Sequence, residues 1–576
     1  MKRFALCLIG LLLQQTLSAQ PRTYPDYRAS SGFELEASAA ADPQVLDNLE
    51  TLCRVWGFVK YHHPAMRDTT VHIDYELFGL LPRIVGADKP ERNRILSEWI
   101  ASFGPVESDP SHYVLTPDSA YRRINSFDWI GDTVRLGGEL SRRLQELRYA
   151  VRQDDNRYVY KLPNTVTLSL YDDSFPNYPP DVPFDAGYRL LCLFRFWNVI
   201  DSFSPNRNIT DKPWDQVLTE YLPRMIAESD RYMLTLLELI AEVNDTHSKA
   251  SYGIYFGHRI APIEASVIND RLIVSKSSEE HPLMPGDEVV EATGRTLPRT
   301  IADVRRYIAS SNEATLYRDA ALLTFASRKD TIPVSYLHDG ERRTARVATY
   351  WPPKEIGKRE AFRMLNDSTA YVFIGTLTKD CDFERIYDSI KHTKTLIVDM
   401  RGYPADHTVR WMFFAKYFVA KPSYPIISLY PLHTYPGVFH RFPSGEDFAK
   451  WIRLNVGNTI TAYTTENPEA YQGRLILLVN EHTQSASEYI TMLLQSIPGT
   501  ITIGSQTAGA DGDVVEIFMP LYFNVYYTGI GIYYPDGTNA QRAGVKIDRQ
   551  VYPTVEGIRT GRDEVLEAAL YSINGQ

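Results

Sequence analysis

The pattern of apolar positions is clearest between Arg474 and Gln495, where an apolar run gives way to a helical period. Leu475 to Val479 is unbroken and has the length of a buried strand. From Ala486 onward, apolar residues recur at the spacing of an amphipathic helix, at Tyr489, Ile490, Leu493 and Leu494. The stretch therefore predicts a buried strand, a tight turn and a helix that begins beside Ser485.

A serine at the start of a helix has two interpretations. Ser485 and Glu488 have the spacing of a capping box, and serine is an ordinary N-cap. The same position faces unpaired backbone N–H groups and the positive end of the helix dipole. That environment suits a nucleophile whose reaction places negative charge on a neighbouring oxygen. Taken alone, the motif favours the cap, so the remaining sequence has to decide.

Two earlier segments resemble each other, which predicts a pair of related helical units. Trp56 to Pro64 matches Trp197 to Pro205 in spacing, and the first of these segments is an apolar helix that ends near Pro64. The match continues at two further positions in each copy, namely Asp74 and Pro82, and Asp215 and Pro223.

Between the helical units and the end of the chain, the pattern changes twice. Pro262 to Thr349 is rich in β-type residues, and its Gly286-to-Val290 strand and Thr293-Gly294-Arg295 turn resemble those of a PDZ domain. Any small β-domain is the alternative, because Gly-Asp turns are common. From Ala361 onward, strands and helices alternate, which predicts an α/β domain.

The predicted domains follow from these changes. They are a signal peptide (1–19), an N-terminal extension with the first helical unit (20–180), the second helical unit (181–258), a PDZ-like domain (259–352) and an α/β core (353–576).

Composition narrows the function. The 576 residues suffice for three or four domains, and 44% hydrophobic with 23% charged residues describes a globular protein. A net charge of −10 without a basic run argues against nucleic acid as a partner. His62 and His63 have no third ligand at a recognisable spacing, and the sparse Cys53, Cys192 and Cys381 are interpreted as free thiols. We therefore expect neither a metal nor a cofactor.

The N-terminus has the pattern of a secretory signal. Lys2 and Arg3 precede an apolar run from Phe4 to Leu13, and Ala19 offers a small residue before a cut ahead of Gln20. That run is too short to span a bilayer, and no later run is long enough. The sequence predicts an exported protein, periplasmic or secreted, without a membrane span.

Four features now stand in one order along the chain. They are DTHS (Asp245–Ser248), the PDZ-like insert, DMRGYP (Asp399–Pro404), and HTQSASE followed by GSQTAGADG (residues 482–488 and 504–512). In this order they resemble the C-terminal-processing and tricorn-type serine peptidases, over about residues 190 to 570. The first helical copy looks like the extension of large exported members from Bacteroidetes-like bacteria. The resemblance implies an α/β peptidase core of the ClpP/crotonase-like type, with helical units and a PDZ-like β-domain.

The resemblance also implies roles for single residues. Ser485 aligns with the nucleophile, while Ser487 falls within the first helical turn, where its side chain would point elsewhere. Tail-specific members use a lysine that aligns here with Ala510, so a Ser–Lys dyad is not expected. Tricorn-type members use a histidine from the helical region, and His247 matches it. Neutral imidazole suits the role of base near pH 7; a loop histidine bonded to Asp245 is the alternative.

Three further positions complete the expected site. A glutamate that orients the histidine in tricorn-type members is replaced by Gln541, whose carbonyl can accept the imidazole N–H. The oxyanion hole would use the backbone N–H groups of Ala486 and Asp406. The family has a Gly-Gly pair where this chain has Ala405 and Asp406, so a carboxylate stands beside the expected hole.

These observations predict an exported serine endopeptidase acting on polypeptides through a Ser–His mechanism. The alternative is a non-catalytic peptide- or ligand-binding protein on the same scaffold, which the departures at Asp406 and Gln541 would permit. A homo-oligomer is possible under either interpretation.

Overall fold

The computed structural model combines helical, β and α/β regions in chain order. It describes residues 22–113, 122–152, 156–162, 167–172, 184–278, 281–354, 356–378, 380–404, 417–418, 426–442, 467–520 and 524–574. The expected signal peptide, residues 1–19, lies outside these residues.

The helical region contains two three-helix units and a connection between them. The first unit comprises α1 (Pro43–His62), α2 (Ile73–Ile84) and α3 (Lys89–Ala101). The connection contains β1 (Arg122–Ile124), α4 (Thr133–Arg148), β2 (Val159–Tyr160) and β3 (Ser169–Leu170). The second unit comprises α5 (Ala186–Phe203), α6 (Trp214–Ala227) and α7 (Tyr232–Ala241).

The sequence repeat corresponds to a repeat in structure. Helices α1 and α5 end at matching positions of the two copies, and α2 and α6 begin at matching positions. In each unit, the same hydrogen bond joins the first helix to the start of the second. Trp56 Nε1 donates to Ile73 O at 2.9 Å, and Trp197 Nε1 donates to Trp214 O at 2.9 Å.

The two units pack against each other through reciprocal contacts. Arg195 of the second unit pairs with Asp74 of the first at 2.7 Å, and Arg54 of the first pairs with Asp215 of the second at 2.9 Å. Their buried apolar residues belong to one continuous core. In each pair, the arginine of one copy contacts the aspartate of the other copy. Reciprocal contacts of this kind are characteristic of a two-fold relationship, so the units form an approximate internal dimer.

The β-rich region folds into an insert with one main sheet. Its elements are β4 (Arg259–Ile260), β5 (Glu264–Ile268), β6 (Arg271–Lys276), β7 (Glu288–Ala292), α8 (Leu297–Tyr307), α9 (Glu313–Leu323), β8 (Ala326–Ser327), β9 (Thr331–His338) and β10 (Glu341–Ala348). The sheet is antiparallel, in the order β10-β9-β7-β6-β5. The strand expected at Gly286–Val290 is present as β7, two residues further along the chain, while the PDZ-like identity stays a prediction.

The remaining elements form the α/β core. They are β11 (Phe362–Asn366), β12 (Thr369–Phe373), α10 (Phe383–Ile390), β13 (Thr395–Asp399), β14 (Ile427–Pro431), β15 (Val438–Phe442), β16 (Arg474–Val479), α11 (Ala486–Gln495), β17 (Ile501–Gly504), β18 (Val514–Ile517), β19 (Val525–Thr528), β20 (Gly531–Tyr533), β21 (Arg549–Gln550), α12 (Val555–Arg559) and α13 (Glu564–Asn574).

The main core sheet has the order β11-β12-β13-β16-β17-β21 and is parallel from β12 onward. Along β16, Leu475, Leu477 and Val479 pack on the side of α10 and α11, whereas Ile476 and Leu478 pack on the side of α13. A parallel strand covered on both faces reads as a continuous apolar run, which is why the pattern at 475–479 was so clear. The predicted α/β fold of this region is confirmed.

A second sheet, in the order β1-β15-β14-β20, joins the N-terminal extension to the core, because β1 pairs with β15. Among the described residues, no helix has both the length and the apolar character needed to cross a bilayer. Cys53, Cys192 and Cys381 are free thiols, the first two buried and the third half-buried.

Candidate active site

Ser485 lies in the turn between β16 and α11, with φ 55° and ψ −119°. Side chains with a Cβ rarely adopt this region, and holding one there costs on the order of 1–3 kcal/mol. Two hydrogen bonds of the Ser485 N–H hold the turn, one to Ala510 O at 3.0 Å and one to Glu488 Oε2 at 3.2 Å. Strain of this kind, kept by surrounding contacts, is typical of functional positions.

The neighbours of Ser485 distinguish it from Ser487. The Ser487 hydroxyl is buried and donates to Gly402 O, in the DMRGYP segment, at 2.6 Å. Ser485 is partly exposed. Within the described chain, the Ala486 N–H donates to no acceptor, which leaves a free donor beside Ser485 at the positive end of α11.

Glu488 stabilises the turn at Ser485 by accepting hydrogen bonds. It is fully buried, and its two oxygens accept hydrogen bonds from Thr507 Oγ1 at 2.6 Å, Gly509 N at 2.8 Å, Ala510 N at 3.0 Å and Ser485 N at 3.2 Å. Burial raises the pKa of Glu488 to about 7, against the opposing effect of these hydrogen bonds. Burial and the neighbouring Glu488 charge raise the pKa of Asp511 well above its ordinary value.

His247 follows α7 in a loop that is anchored to the insert. Ser248 N donates to Asp245 O at 2.8 Å and forms a tight turn. Thr246 and Ser311, just before α9, exchange two hydrogen bonds, with Thr246 N to Ser311 Oγ at 2.8 Å and Ser311 N to Thr246 Oγ1 at 2.9 Å. The loop position is therefore set by contacts on both sides of the histidine.

The His247 side chain is largely buried, with 10% of it exposed, and its surroundings favour the neutral ring. Its Nδ1 lies 2.9 Å from Thr528 Oγ1. Burial lowers the pKa of His247 below its ordinary value, although the negative charges of Asp245 and Asp513 oppose the shift. A lowered pKa leaves the imidazole unprotonated near pH 7, which is the form that a general base requires.

Asp245 lies at the centre of the contacts around His247. Its carboxylate accepts from Thr528 N at 2.6 Å, Thr528 Oγ1 at 3.0 Å, His247 N at 3.0 Å and Gln541 Nε2 at 3.1 Å. The side chain is almost fully buried, so the four donors stabilise a charge that water does not reach.

The expected contact between Gln541 and His247 is not the one observed. The Gln541 amide donates to Asp245, its carbonyl Oε1 has no partner among the described residues, and Thr528 contacts the imidazole instead. A buried carboxylate attracts the amide N–H groups more strongly than a neutral ring nitrogen does. Gln541 stays a predicted site residue, but its contact runs through Asp245.

One short segment connects the surroundings of Ser485 and His247. Ala510 accepts from the Ser485 N–H, and four residues later Val514 is paired with Thr528 across β18 and β19. Between the described Ser485 hydroxyl and the described His247 ring there is no hydrogen bond, so their approach during catalysis stays a prediction. Apo active sites are often looser than their complexes.

Asp406, expected in the oxyanion hole, and its neighbour Ala405 lie outside the described residues. Ala486 is described, and its role in the oxyanion hole stays a prediction. The sequence analysis assigns no role in the proposed catalysis to Asp245, Thr528 or Glu488. Asp245 stands in the DTHS motif and Glu488 in the capping box, which are usable signals, whereas Thr528 has none.

The insert contacts the site through α9. The Asn312 amide, at the start of this helix, donates to Thr507 O at 2.9 Å and to Arg542 O at 3.0 Å. Arg318 Nη1 donates to Glu481 O at 3.0 Å and to Gln484 Oε1 at 2.9 Å, in the turn that precedes Ser485. No group of three or more metal-ligating side chains exists among the residues described.

Comparisons with known proteins agree with the fold and the motifs. Residues 368–551 match the model of peptidase family S41. Mature CPAF has a similar fold, with TM-score 0.52, 14% identity, and coverage of 68% of this chain and 98% of that chain. The complex of mature CPAF with lactacystin gives TM-score 0.51, 13% identity and coverage of 68% and 99%.

The photosystem II D1 C-terminal processing protease matches more loosely, with TM-score 0.38, 14% identity and coverage of 65% and 96%. No curated protein matches the chain. At these identities the structural matches concern the fold. The family match covers the segment that contains Ser485, and over residues 368–551 it confirms the resemblance to the C-terminal-processing and tricorn-type serine peptidases.

Proposed function

We propose that this protein is an exported serine endopeptidase in which Ser485 is the nucleophile and His247 the general base. The observation that carries the proposal is the turn at Ser485. A strained serine stands at a helix start, next to the Ala486 N–H, which donates to no acceptor among the described residues, while the hydroxyl of Ser487 donates to Gly402 O. The membership of this segment in a peptidase family supports the same conclusion.

The steps follow from these positions. Ser485 Oγ attacks the peptide carbonyl carbon, and His247 Nε2 takes the hydroxyl proton. The carbonyl oxygen becomes an oxyanion, which the Ala486 N–H and the dipole of α11 stabilise. When the C–N bond breaks, the imidazolium returns the proton to the leaving amine. Water then hydrolyses the Ser485 ester with His247 as base again. Gln541 acts on this machinery through its hydrogen bond to Asp245.

A Ser–His arrangement accounts for the lysines better than a Ser–Lys dyad. Ala510 occupies the position of the dyad lysine, and its backbone is part of the Ser485 turn. Lys546 pairs with Asp536 at 2.6 Å, and both side chains are about half exposed. This lysine is held at the surface by its own ion pair.

The insert is suited to holding an extended polypeptide. Strand β5 is the edge of its sheet in the described structure, and α9 packs beside β5. An extended peptide can add to such an edge as a further strand. Because α9 also contacts the turn before Ser485 through Arg318, a chain bound there would lie near the nucleophile.

Export rests on the pattern of the first residues. Lys2, Arg3 and the short apolar run favour cleavage between Ala19 and Gln20. N-terminal sequencing of protein from the native host tests this part, and a mature chain that still begins at Met1 would contradict it.

Peptide binding without cleavage is the second candidate. It is favoured by the missing hydrogen bond between the described Ser485 hydroxyl and His247. On this alternative the edge of β5 would still bind polypeptide, but Ser485 would remain unreactive.

Labelling with a serine-directed phosphonate distinguishes the two candidates. The purified protein is treated with the probe, and mass spectrometry locates the modified residue. We expect modification of Ser485, much slower modification in His247→Ala, and normal labelling in the matched control Ser487→Ala. An unlabelled wild-type protein, or a label on another residue, would contradict the peptidase.

A further inference from the structure

The protons around Thr528 can be assigned from the hydrogen bonds alone. A threonine hydroxyl has one hydrogen to donate and lone pairs to accept with. Thr528 Oγ1 lies 3.0 Å from Asp245 Oδ1 and 2.9 Å from His247 Nδ1. Asp245 is surrounded by donors and acts as an acceptor, so the hydroxyl hydrogen points to Asp245. Thr528 Oγ1 then accepts, and the donor is the N–H at His247 Nδ1.

This assignment leaves one ring nitrogen for chemistry. With the hydrogen on Nδ1, the lone pair is on Nε2, which is the nitrogen that must take the proton of Ser485. In the opposite tautomer, Nε2 carries a hydrogen and has no lone pair for the proton of Ser485. Nδ1 then has no hydrogen to donate to Thr528 Oγ1. A group that selects the tautomer therefore decides whether His247 is a base.

We propose that Thr528, held by Asp245, is the positioning residue that keeps His247 in the productive tautomer, in the place of the glutamate that Gln541 replaces. This inference rests on the proposed function. When Ser485 gives its proton to Nε2, the hydrogen on Nδ1 stays there, and no proton passes to Thr528 or Asp245. The Asp245 carboxylate, 3.9 Å from Nδ1, stabilises the imidazolium.

Thr528 is well fixed for this part. Its backbone N–H donates to Asp245 Oδ2 at 2.6 Å while its hydroxyl donates to Oδ1, so one residue occupies both oxygens. As the last residue of β19, it is paired with Val514, and the next residue donates to Asp513 O at 2.8 Å. Gln541 adds a further donor to Asp245 Oδ1.

Other charges also act on His247, and they define what a variant must leave unchanged. The carboxylates of Asp245 and Asp513 favour the protonated ring, whereas Lys249 and Arg318 disfavour it. Replacing Thr528 by valine keeps these charges and the side-chain shape, and it exchanges the hydroxyl that bonds Asp245 and His247 for a methyl group. Thr300 provides a matched control, since it is also a buried threonine, and its hydroxyl donates to the carbonyl of Thr296, the residue before α8 of the insert.

The experiment compares Thr528→Val, Thr528→Ser and Thr300→Val in the full chain. We expect Thr528→Val to lower kcat by roughly 10²-fold with little change in KM, because the base is affected and not substrate binding. Thr528→Ser should restore most of kcat, and Thr300→Val should match the wild type. In ¹⁵N-histidine NMR, with His247 identified by its loss in His247→Ala, the wild type should show the Nδ1–H tautomer and Thr528→Val a mixture.

Three outcomes would overturn the inference. One is a wild-type ring protonated on Nε2. Another is a Thr528→Val variant whose kcat and rate of phosphonate labelling at Ser485 equal those of the wild type, in which case the peptidase stands and the inference alone fails. The third is a wild type that neither cleaves nor takes the label, which removes the proposed function and the inference with it. Circular dichroism of each variant establishes that it is folded.

Discussion

The two helical units have the same elements, but only the second leads into a residue of the proposed active site. Both contain a long helix, a tryptophan bonded to the start of the second helix, and an arginine paired with the other unit. Only the second unit continues into DTHS and His247. The segment after α3 in the first unit, residues 104–107, reads Gly-Pro-Val-Glu. The comparison teaches that the repeat duplicates packing and that the candidate base depends on a few residues beyond the last helix.

The largest expected effect concerns the ends of the two units. His247→Ala should lower peptide cleavage by roughly 10²- to 10⁴-fold, the contribution typical of a general base. Glu107→Ala, an exposed change after α3, should leave the rate unchanged. The measurement is turnover of an unstructured polypeptide by each purified variant.

Two additional variants sharpen that result. Ser485→Ala combined with His247→Ala should be little worse than either alone, because residues acting as one unit are not additive. Lys546→Ala should keep much of the rate. An inactive Lys546→Ala together with a near-normal His247→Ala would show that the Ser–His assignment is wrong.

The reciprocal ion pairs should differ strongly in their contribution to stability. Arg195 and Asp74 are both fully buried, whereas in the matching pair Asp215 is 58% exposed and Arg54 11%. Asp74→Ala leaves a buried arginine without this partner and should cost about 3–5 kcal/mol. Asp215→Ala should cost about 1 kcal/mol or less. Urea denaturation followed by tryptophan fluorescence measures both, and equal losses would contradict the dependence on burial.

A smaller effect is expected at one contact between the two units. Gly57 and Asn198 occupy matching positions of the repeat, and the Asn198 amide donates to Cys53 O at 3.0 Å and to Phe194 O at 2.8 Å. A Cβ on Gly57 would lie 1.9 Å from Asn198 Oδ1. Gly57→Ala should therefore cost about 2–3 kcal/mol by overpacking.

The double variant Gly57→Ala with Asn198→Ala tests the same contact as a cycle. It should be more stable than the sum of the two single losses predicts, because the clash exists only when both side chains are present. Additive losses would place the origin of the effect elsewhere.

A still smaller effect than that of Gly57→Ala concerns the turn after the first helix of each unit. His63 Nδ1 accepts from Ala65 N at 3.0 Å, and at the matching position Ser204 Oγ accepts from Asn206 N at 3.2 Å. Burial lowers the pKa of His63 from 6.5 to about 4. As the pH falls from 6.5 towards 4, His63 binds a proton in the unfolded chain but not in the folded chain. The free energy of unfolding therefore decreases over this pH range.

His63→Ser keeps the cap and removes the titrating ring. Between pH 7 and pH 5 the variant should lose about 1–2 kcal/mol less stability than the wild type, from the difference between the two pKa values. Denaturation midpoints at both pH values provide the comparison. An unchanged pH dependence would mean that His63 does not titrate as its burial predicts.

The sequence was most informative where a local pattern determines the structure. Leu475–Val479 and the helix after Ser485 were predicted almost to the residue, because a two-face buried strand and an amphipathic helix each leave a periodic signal. The repeat likewise indicated matching helices, through Trp56 and Trp197. The order of the motifs indicated the peptidase family before any fold was known.

Side-chain partners were harder to predict, because they depend on which distant segments meet. Thr528 is an ordinary strand residue in the sequence, and only the pairing of β18 with β19 brings its hydroxyl to His247. Gln541 is identified by its position in the motif order. Its hydrogen-bond partner, however, is the nearby Asp245 carboxylate, which the motif order does not predict. Nothing in Arg54 or Arg195 alone indicated that each would pair with the aspartate of the other copy.

The backbone at Ser485 implies a conflict between durability and reactivity. A φ of 55° is easy for glycine and difficult for any residue with a Cβ. Ser485→Gly should therefore have a free energy of unfolding about 1 kcal/mol larger than that of the wild type, measured by urea denaturation. Ser485→Ala should be equally inactive but should keep the backbone strain. A sequence selected for longevity alone would place glycine here. If Ser485 is the nucleophile, as proposed, a serine at this turn gives reactivity at the expense of resistance to unfolding.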